Sequence, residues 1–193
     1  MTTPSLIDPA GGTGAPVDLS DGAVLVPLRN ADIPALAAAM AAIDPWRSLG
    51  YGAGALERYW QRLDGGAARL GVLLHGRCAG ALCVRPRWLR GPFLELLCLL
   101  PIAQGEGRGG RILNWLATVA AALGPNLWTS VDSGNGRALA FYRRHGFAEV
   151  ARLPKLLAPD RDELLLRRIL DTATRGGTIA AKNAPCPHAG EPL

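Results

Sequence analysis

Apolar positions recur along this chain with two periods, and the alternation between them outlines a fold. Residues 24–28 read as a short strand. Asn30 can cap a helix over about 31–43, with Pro34 tolerated in its first turn. A loop at 44–51 leads to a second helix near 55–63. Residues 70–74 and 78–84 flank His75-Gly76-Arg77 and predict a hairpin. The run 93–100 predicts a buried strand from its length and its borders, Pro92 and Pro101. Beyond it Ile112, Leu113, Leu116, Ala120 and Leu123 share one helical face, and Gly124-Pro125 ends that helix. A strand at 127–131, a helix at 136–145 closed by Gly146, and an antiparallel pair at 147–153 and 163–167 complete the pattern. Strand, helix, strand in succession implies a right-handed parallel crossover. The sum is a mixed α/β sheet, not an all-parallel one.

The ends lack this periodicity. Residues 1–22, rich in Pro, Gly, Thr and Asp, read as a flexible arm, and 171–193 as a disordered tail. That leaves one domain over 23–170. The formal net charge is +5, and the first 22 residues hold three Asp and no Lys or Arg, so the basic excess lies in the domain. Its arginines are scattered singly, without a basic run interleaved with aromatics. This speaks against nucleic acid and suits either a polyanionic small ligand or a solvated surface. Cys78, Cys83, Cys98 and Cys186 form no Cys-x-x-Cys pair, and the first three read as small core hydrophobes. Cys186 and His188 on the tail are too few ligands for a metal site, so no metal is expected. No leader opens at Met1 and no apolar stretch is long enough for a bilayer, which predicts a cytoplasmic protein without membrane contact.

The chemistry concentrates at Gln104-Gly105-Glu106-Gly107-Arg108-Gly109-Gly110. Glycines permit tight turns and close approach of a ligand to the main chain. The first N–H groups of the helix that follows have no intrahelical partners, and the helix dipole adds positive potential. Together they form an anion site suited to a diphosphate. Two diphosphate ligands fit the spacing. Gly105-x-Gly107-x-x-Gly110 satisfies the dinucleotide fingerprint, with Asp132 placed for a ribose. Against it, Pro101 to Gln104 separate the first glycine from the strand, and no second βαβ half follows.

A second pattern covers more residues. The segment from Leu97 through Pro101 to Gln104-Gly-Glu-Gly107-Arg-Gly109 resembles the acetyl-CoA segment of the GNAT N-acetyltransferase superfamily, (Gln/Arg)-x-x-Gly-x-(Gly/Ala). Asn135-Gly-Arg-Ala138-Leu-Ala-Phe141-Tyr142, followed by Gly146-Phe147, resembles that family's second segment. The resemblance spans about 23–168 and is clearest over 93–150. It implies an α/β (α+β) fold, a mixed, mostly antiparallel sheet with a central parallel β-α-β unit that binds acetyl-CoA as co-substrate. Gln104, Gly105, Glu106, Gly107, Arg108, Gly109 and Gly110 would hold the diphosphate, with Arg108 and Arg111 assisting. Leu97, Cys98 and Leu99 would pair with the pantetheine arm and steady the thioester. Asn135 and Phe141 would lie along that arm, as would Tyr142.

Tyr142 is the candidate general acid for the departing thiolate, and Glu95 the candidate base for the attacking amine. Glu95 is expected on the same strand face as Leu97 and Leu99, isolated enough for a raised pKa or else facing an arginine partner. In relatives that acetylate peptide N-termini, the strand before Asn135 often carries a Glu. Here Ser130 stands there, which favours a small-molecule amine over a peptide. Trp46 and Tyr51 are candidate walls of the acceptor pocket. A non-catalytic acyl-CoA-binding module on the same fold is the alternative, and a homodimer remains open.

Overall fold

A computed structural model describes residues 14–63 and 66–171. Eight strands form one sheet in the order β1-β2-β3-β4-β5-β6-β8-β7. The strands are β1 (Val17–Asp18), β2 (Ala23–Pro27), β3 (Ala68–Leu74), β4 (Arg77–Trp88), β5 (Gly91–Leu99), β6 (Asn126–Asp132), β7 (Ala148–Ala158) and β8 (Arg161–Ile169). Four helices join them: α1 (Ile33–Ala41), α2 (Ala53–Gln61), α3 (Arg108–Leu123) and α4 (Gly136–Arg144). The expected mixed, mostly antiparallel sheet is present, and β5 and β6 are its one parallel pair. A doubly wound dinucleotide fold needs a run of parallel strands, so that rival reading falls.

The two sheet faces carry two apolar cores. Ile112, Leu113 and Leu116 of α3 pack with Leu70, Val72, Leu94 and Leu127 on one face, joined by Leu139 and Tyr142 of α4. Ile33, Leu36 and Met40 of α1 pack with Leu56 and Trp60 of α2 on the other, against Ala81, Cys83 and Cys98. The chain reverses between β3 and β4 through His75 at φ +50° and Gly76 at φ +77°, as the His-Gly turn predicts.

Order begins earlier than expected. Residues 17–18 pair with β2, and Leu19 is buried, so the second half of the supposed flexible arm is part of the sheet. The apolar pair Val17 and Leu19 supplies that docking, which the surrounding Pro, Gly and Asp obscured. The tail proposed at 171–193 lies outside the described residues from 172 onward, and so do Cys186 and His188.

Candidate active site

The parallel pair is the key to the site. β5 and β6 pair at only two positions, Phe93 with Trp128 and Leu94 with Thr129. The closed end is pinned by aromatic packing: Trp128 donates its Nε1–H to the Leu89 carbonyl at 2.9 Å and meets Trp88 edge-on at 5.3 Å. The Thr129 hydroxyl donates to the Leu94 carbonyl at 2.9 Å. Beyond that bond the strands part, and residues 96–99 of β5 pair with β4 on one side and, among the described residues, with no strand on the other.

Gly80 sets how closely β4 and β5 approach there. A Cβ at Gly80 would lie 2.4 Å from the Cys98 carbonyl oxygen, so only glycine fits. At the far end of the gap, Gly105 at φ +94° and Gly107 at φ +74° turn the chain into α3. Gly107 is the N-cap of that helix in the left-handed region, and the N–H groups of the first turn face outward from it.

Two cavities open from the gap. The first, about 430 Å³, is lined by Leu97, Cys98 and Leu99 on β5, by Gln104, Gly105, Gly107, Arg108, Gly109 and Gly110, and by Asn135 and Phe141. The second, about 360 Å³, is lined by Trp46, Tyr51, Tyr59, Glu95, Thr129, Ser130, Asp132, Tyr142 and Glu163. Pro45, Trp46, Leu97, Asn135 and Ala138 border both, so the cavities meet beside the β5 edge. The Asn135 side chain accepts from the Ala138 N–H at 3.0 Å and so caps α4 while standing at that junction. Gln104 donates from Nε2 to the Leu99 carbonyl at 2.7 Å, and its Oε1 accepts from Arg137 at 2.9 Å. This side chain ties the end of β5 to the start of α4.

Several expected residues take other roles. Glu106 is exposed and does not line the first cavity; it pairs with Arg108 at 2.6 Å. Arg108 is buried beneath the loop and pairs with Asp21 at 2.9 Å, and Arg111 pairs with the same carboxylate. These arginines brace the loop against the N-terminal segment. Burial opposes ionisation of Asp21, but the hydrogen bond from Arg111, the Ala23 N–H and the two guanidinium charges hold its carboxyl below the usual range. Tyr142 borders the second cavity rather than the first.

Glu95 is also reassigned. Between Cys83–Leu96 and Val84–Leu94 the β4–β5 register skips Glu95, which makes it the extra residue of a β-bulge. The bulge reverses alternation, so Leu97 and Leu99 pack toward α3 while Glu95 lies beside Tyr59 and Cys83 on the α1–α2 face. There it pairs with Arg85 and lies 3.9 Å from Arg62. It is therefore the arginine-paired form of the two expected.

Proton affinities in the site follow from burial. Tyr142 is 7% exposed, and burial pushes its phenol up to about 12, offset in part by a hydrogen bond with Thr129. Burial likewise pushes the Cys98 thiol up to about 12 and keeps it protonated. Glu163, 6% exposed on β8, is raised by burial, lowered by a hydrogen bond with Ser130, and raised by the charge of Asp132.

Several charged lining residues, and the aromatic Tyr59, escaped the sequence reading. Arg137, Arg144 and His145 line the first cavity with Phe141, at the spacing of one helix face, and that spacing was a usable signal. Glu163 sits opposite Asp132 in the β6–β8 register. No local pattern marks that pairing, because it joins strands 31 residues apart.

The Acetyltransferase (GNAT) family model matches residues 36–147, and the chain belongs to that family. Its fold is also that of an acetyltransferase from Thermus thermophilus (20% identity, TM-score 0.62), covering 77% of this chain and 97% of that one. A ribosomal-protein-alanine N-acetyltransferase from Escherichia coli matches at 16% identity and TM-score 0.61, covering 85% and 99%. A chimeric spermidine N-acetyltransferase from Vibrio cholerae matches at 16% identity and TM-score 0.61, covering 77% and 96%. Proteins named for a protein acceptor and for a polyamine thus match equally well, and the fold does not select the acceptor.

Proposed function

We propose that the chain transfers an acetyl group from acetyl-CoA directly to the primary amine of a small molecule. The observation that carries this reading is the opened β5–β6 seam, with an anion-binding loop at one end and a second, carboxylate-bearing cavity beside it. The residues fit such a co-substrate. The first cavity joins a helix N-terminus to a strand edge that lacks a neighbour, which suits a diphosphate followed by an amide-bearing arm. Loop N–H groups of residues 105–110 would hold the diphosphate, with Arg137, Arg144 and His145 bordering the same space. Residues 97–99 would align the arm. Acetyl-CoA supplies an acyl group activated as a thioester.

The protein's own groups then manage protons. Tyr142 holds its proton through neutral pH and can give it to the departing sulfur. Cys98, as a buried thiol, is no nucleophile, which favours direct transfer over an acyl-enzyme. The test is mass-detected acetyl transfer to a panel of amines, amino acids and peptides. A labelled small amine is the expected result. Exclusive labelling of peptides, or tight acetyl-CoA binding without any product, would overturn it.

A further inference from the structure

The second cavity has a marked charge asymmetry. Its walls hold three carboxylates, Glu95, Asp132 and Glu163, and no Arg, Lys or His. Two of the three are neutralised from behind: Glu95 by Arg85 and Arg62, and Asp132 by Arg161 at 3.7 Å. Glu163 is buried and makes no ion pair among the described residues; its polar neighbours are Ser130 and the negative Asp132. A buried carboxylate without a counter-charge is costly, and an ammonium is the partner this cavity lacks. Apart from Thr129, Ser130 and Asn135, the other walls are apolar or aromatic, chiefly Trp46, Tyr51, Tyr59, Leu49 and Leu56. They suit a body that is neither charged nor strongly hydrated.

Resting on the acetyltransferase reading, we propose that Glu163 receives the ammonium of the acceptor and takes its proton. The acceptor is then a primary amine on an apolar or aromatic body, with no carboxylate beside the nitrogen. Glu163 takes one proton from the ammonium and frees the lone pair. The C–N bond forms as the C–S bond breaks, and the sulfur takes the Tyr142 proton. The second proton lost from nitrogen restores Tyr142, and that on Glu163 passes to solvent. A free amino acid would bring its own carboxylate beside Glu163, the one wall carboxylate without a counter-charge among the described residues, and is repelled.

The experiment compares 2-phenylethylamine, phenylalaninamide and phenylalanine. Binding to the CoA-saturated protein is read by calorimetry, and acetylation by steady-state kinetics. The first two should bind and react, with phenylalanine weaker by about 100-fold or more, the scale set by close like charges in a partly buried site. Glu163→Gln should lower kcat for 2-phenylethylamine by roughly 10²–10⁴-fold, the usual range for a lost general base. It should also weaken amine binding while leaving the acetyl-CoA Kd unchanged. Glu163→Asp, which keeps the charge, should retain the discrimination against phenylalanine. Phenylalanine binding as well as the amine, or a Glu163→Gln protein with wild-type amine affinity and kcat, would overturn the proposal. Glu163-dependent amine binding without any acetylated product would instead uphold the charge assignment and sink the acetyltransferase reading.

Discussion

Replacing Gly80 by alanine tests whether the spacing of β4 and β5 controls the site. The new Cβ would lie 2.4 Å from the Cys98 carbonyl oxygen, 3.0 Å from Leu99 Cδ2 and 3.2 Å from Leu99 Cα. A carbon and a carbonyl oxygen in ordinary contact stay roughly 3.3 Å or more apart. β5 must therefore retreat by about 0.9 Å at Cys98, because the obstacle is backbone and cannot rotate away. Overpacking of this kind costs about 1–3 kcal/mol. A displacement near 1 Å of a substrate-aligning segment lowers turnover by about 100-fold. The assay pairs urea denaturation with kcat/KM for acetyl transfer, and Gly54→Ala serves as the control. A Cβ at Gly54 meets only the tip of Arg58 at 3.5 Å within α2, so alanine there should stabilise by about 0.5–1 kcal/mol without touching activity. A Gly80→Ala protein with wild-type stability and kcat/KM would refute the reasoning that this glycine fixes the strand edge.

Other outcomes follow from the same geometry. Tyr142→Phe should lower kcat by about 100-fold through loss of the proton donor, and stability by about 1 kcal/mol through loss of one buried hydrogen bond. Its acetyl-CoA affinity by calorimetry should hold; a large loss there would make Tyr142 a binding residue. In the wild type burial raises the phenol to about 12, so this group should produce no alkaline loss of rate across the neutral range. Gly107→Asp places a carboxylate at a left-handed helix cap facing the anion site, and the acetyl-CoA Kd should rise by about 100-fold or more. Unchanged affinity would remove the loop from the diphosphate site. Asp21→Asn takes a charged partner from buried Arg108. It should cost about 2 kcal/mol by denaturant titration, less than the roughly 3–5 of a fully orphaned charge because Glu106 remains. The Asp21 carboxyl is held below its usual range, so this stabilisation is complete at neutral pH and fades as pH falls through the lowered value. A difference between the two proteins that persisted in strong acid would argue against the ion pair.

Much of this was legible in the sequence because the signals are local. The glycine turn into α3 and the Asn135 cap each announce themselves within a few residues and lie where they were expected, whereas the strand ending before Pro101 begins at Gly91 and takes in Pro92, which was expected to border it. What stayed hidden depends on contacts across the chain. The bulge at Glu95 arises from the match between β4 and β5, and it reverses the face that simple alternation assigned. Arg108 reads as a ligand for phosphate until Asp21, 87 residues earlier, is seen to hold it. Glu163 reads as one more charge on a late strand until β8 is laid beside β6.

The short β5–β6 ladder also has a mechanical consequence. Two residue pairs and an aromatic clasp join strands β1–β5 to strands β6, β8 and β7 along the sheet. The molecule is in effect two plates with a seam between them, stapled at one end and bridged above by α3. Whatever fills the open part of the seam ties the plates together along its length. A bound co-substrate at 100 times its Kd adds about 2.7 kcal/mol to the stability of the whole. On the proposed function, rigidity in this protein is thus partly on loan from its ligand, and would be returned with every product released.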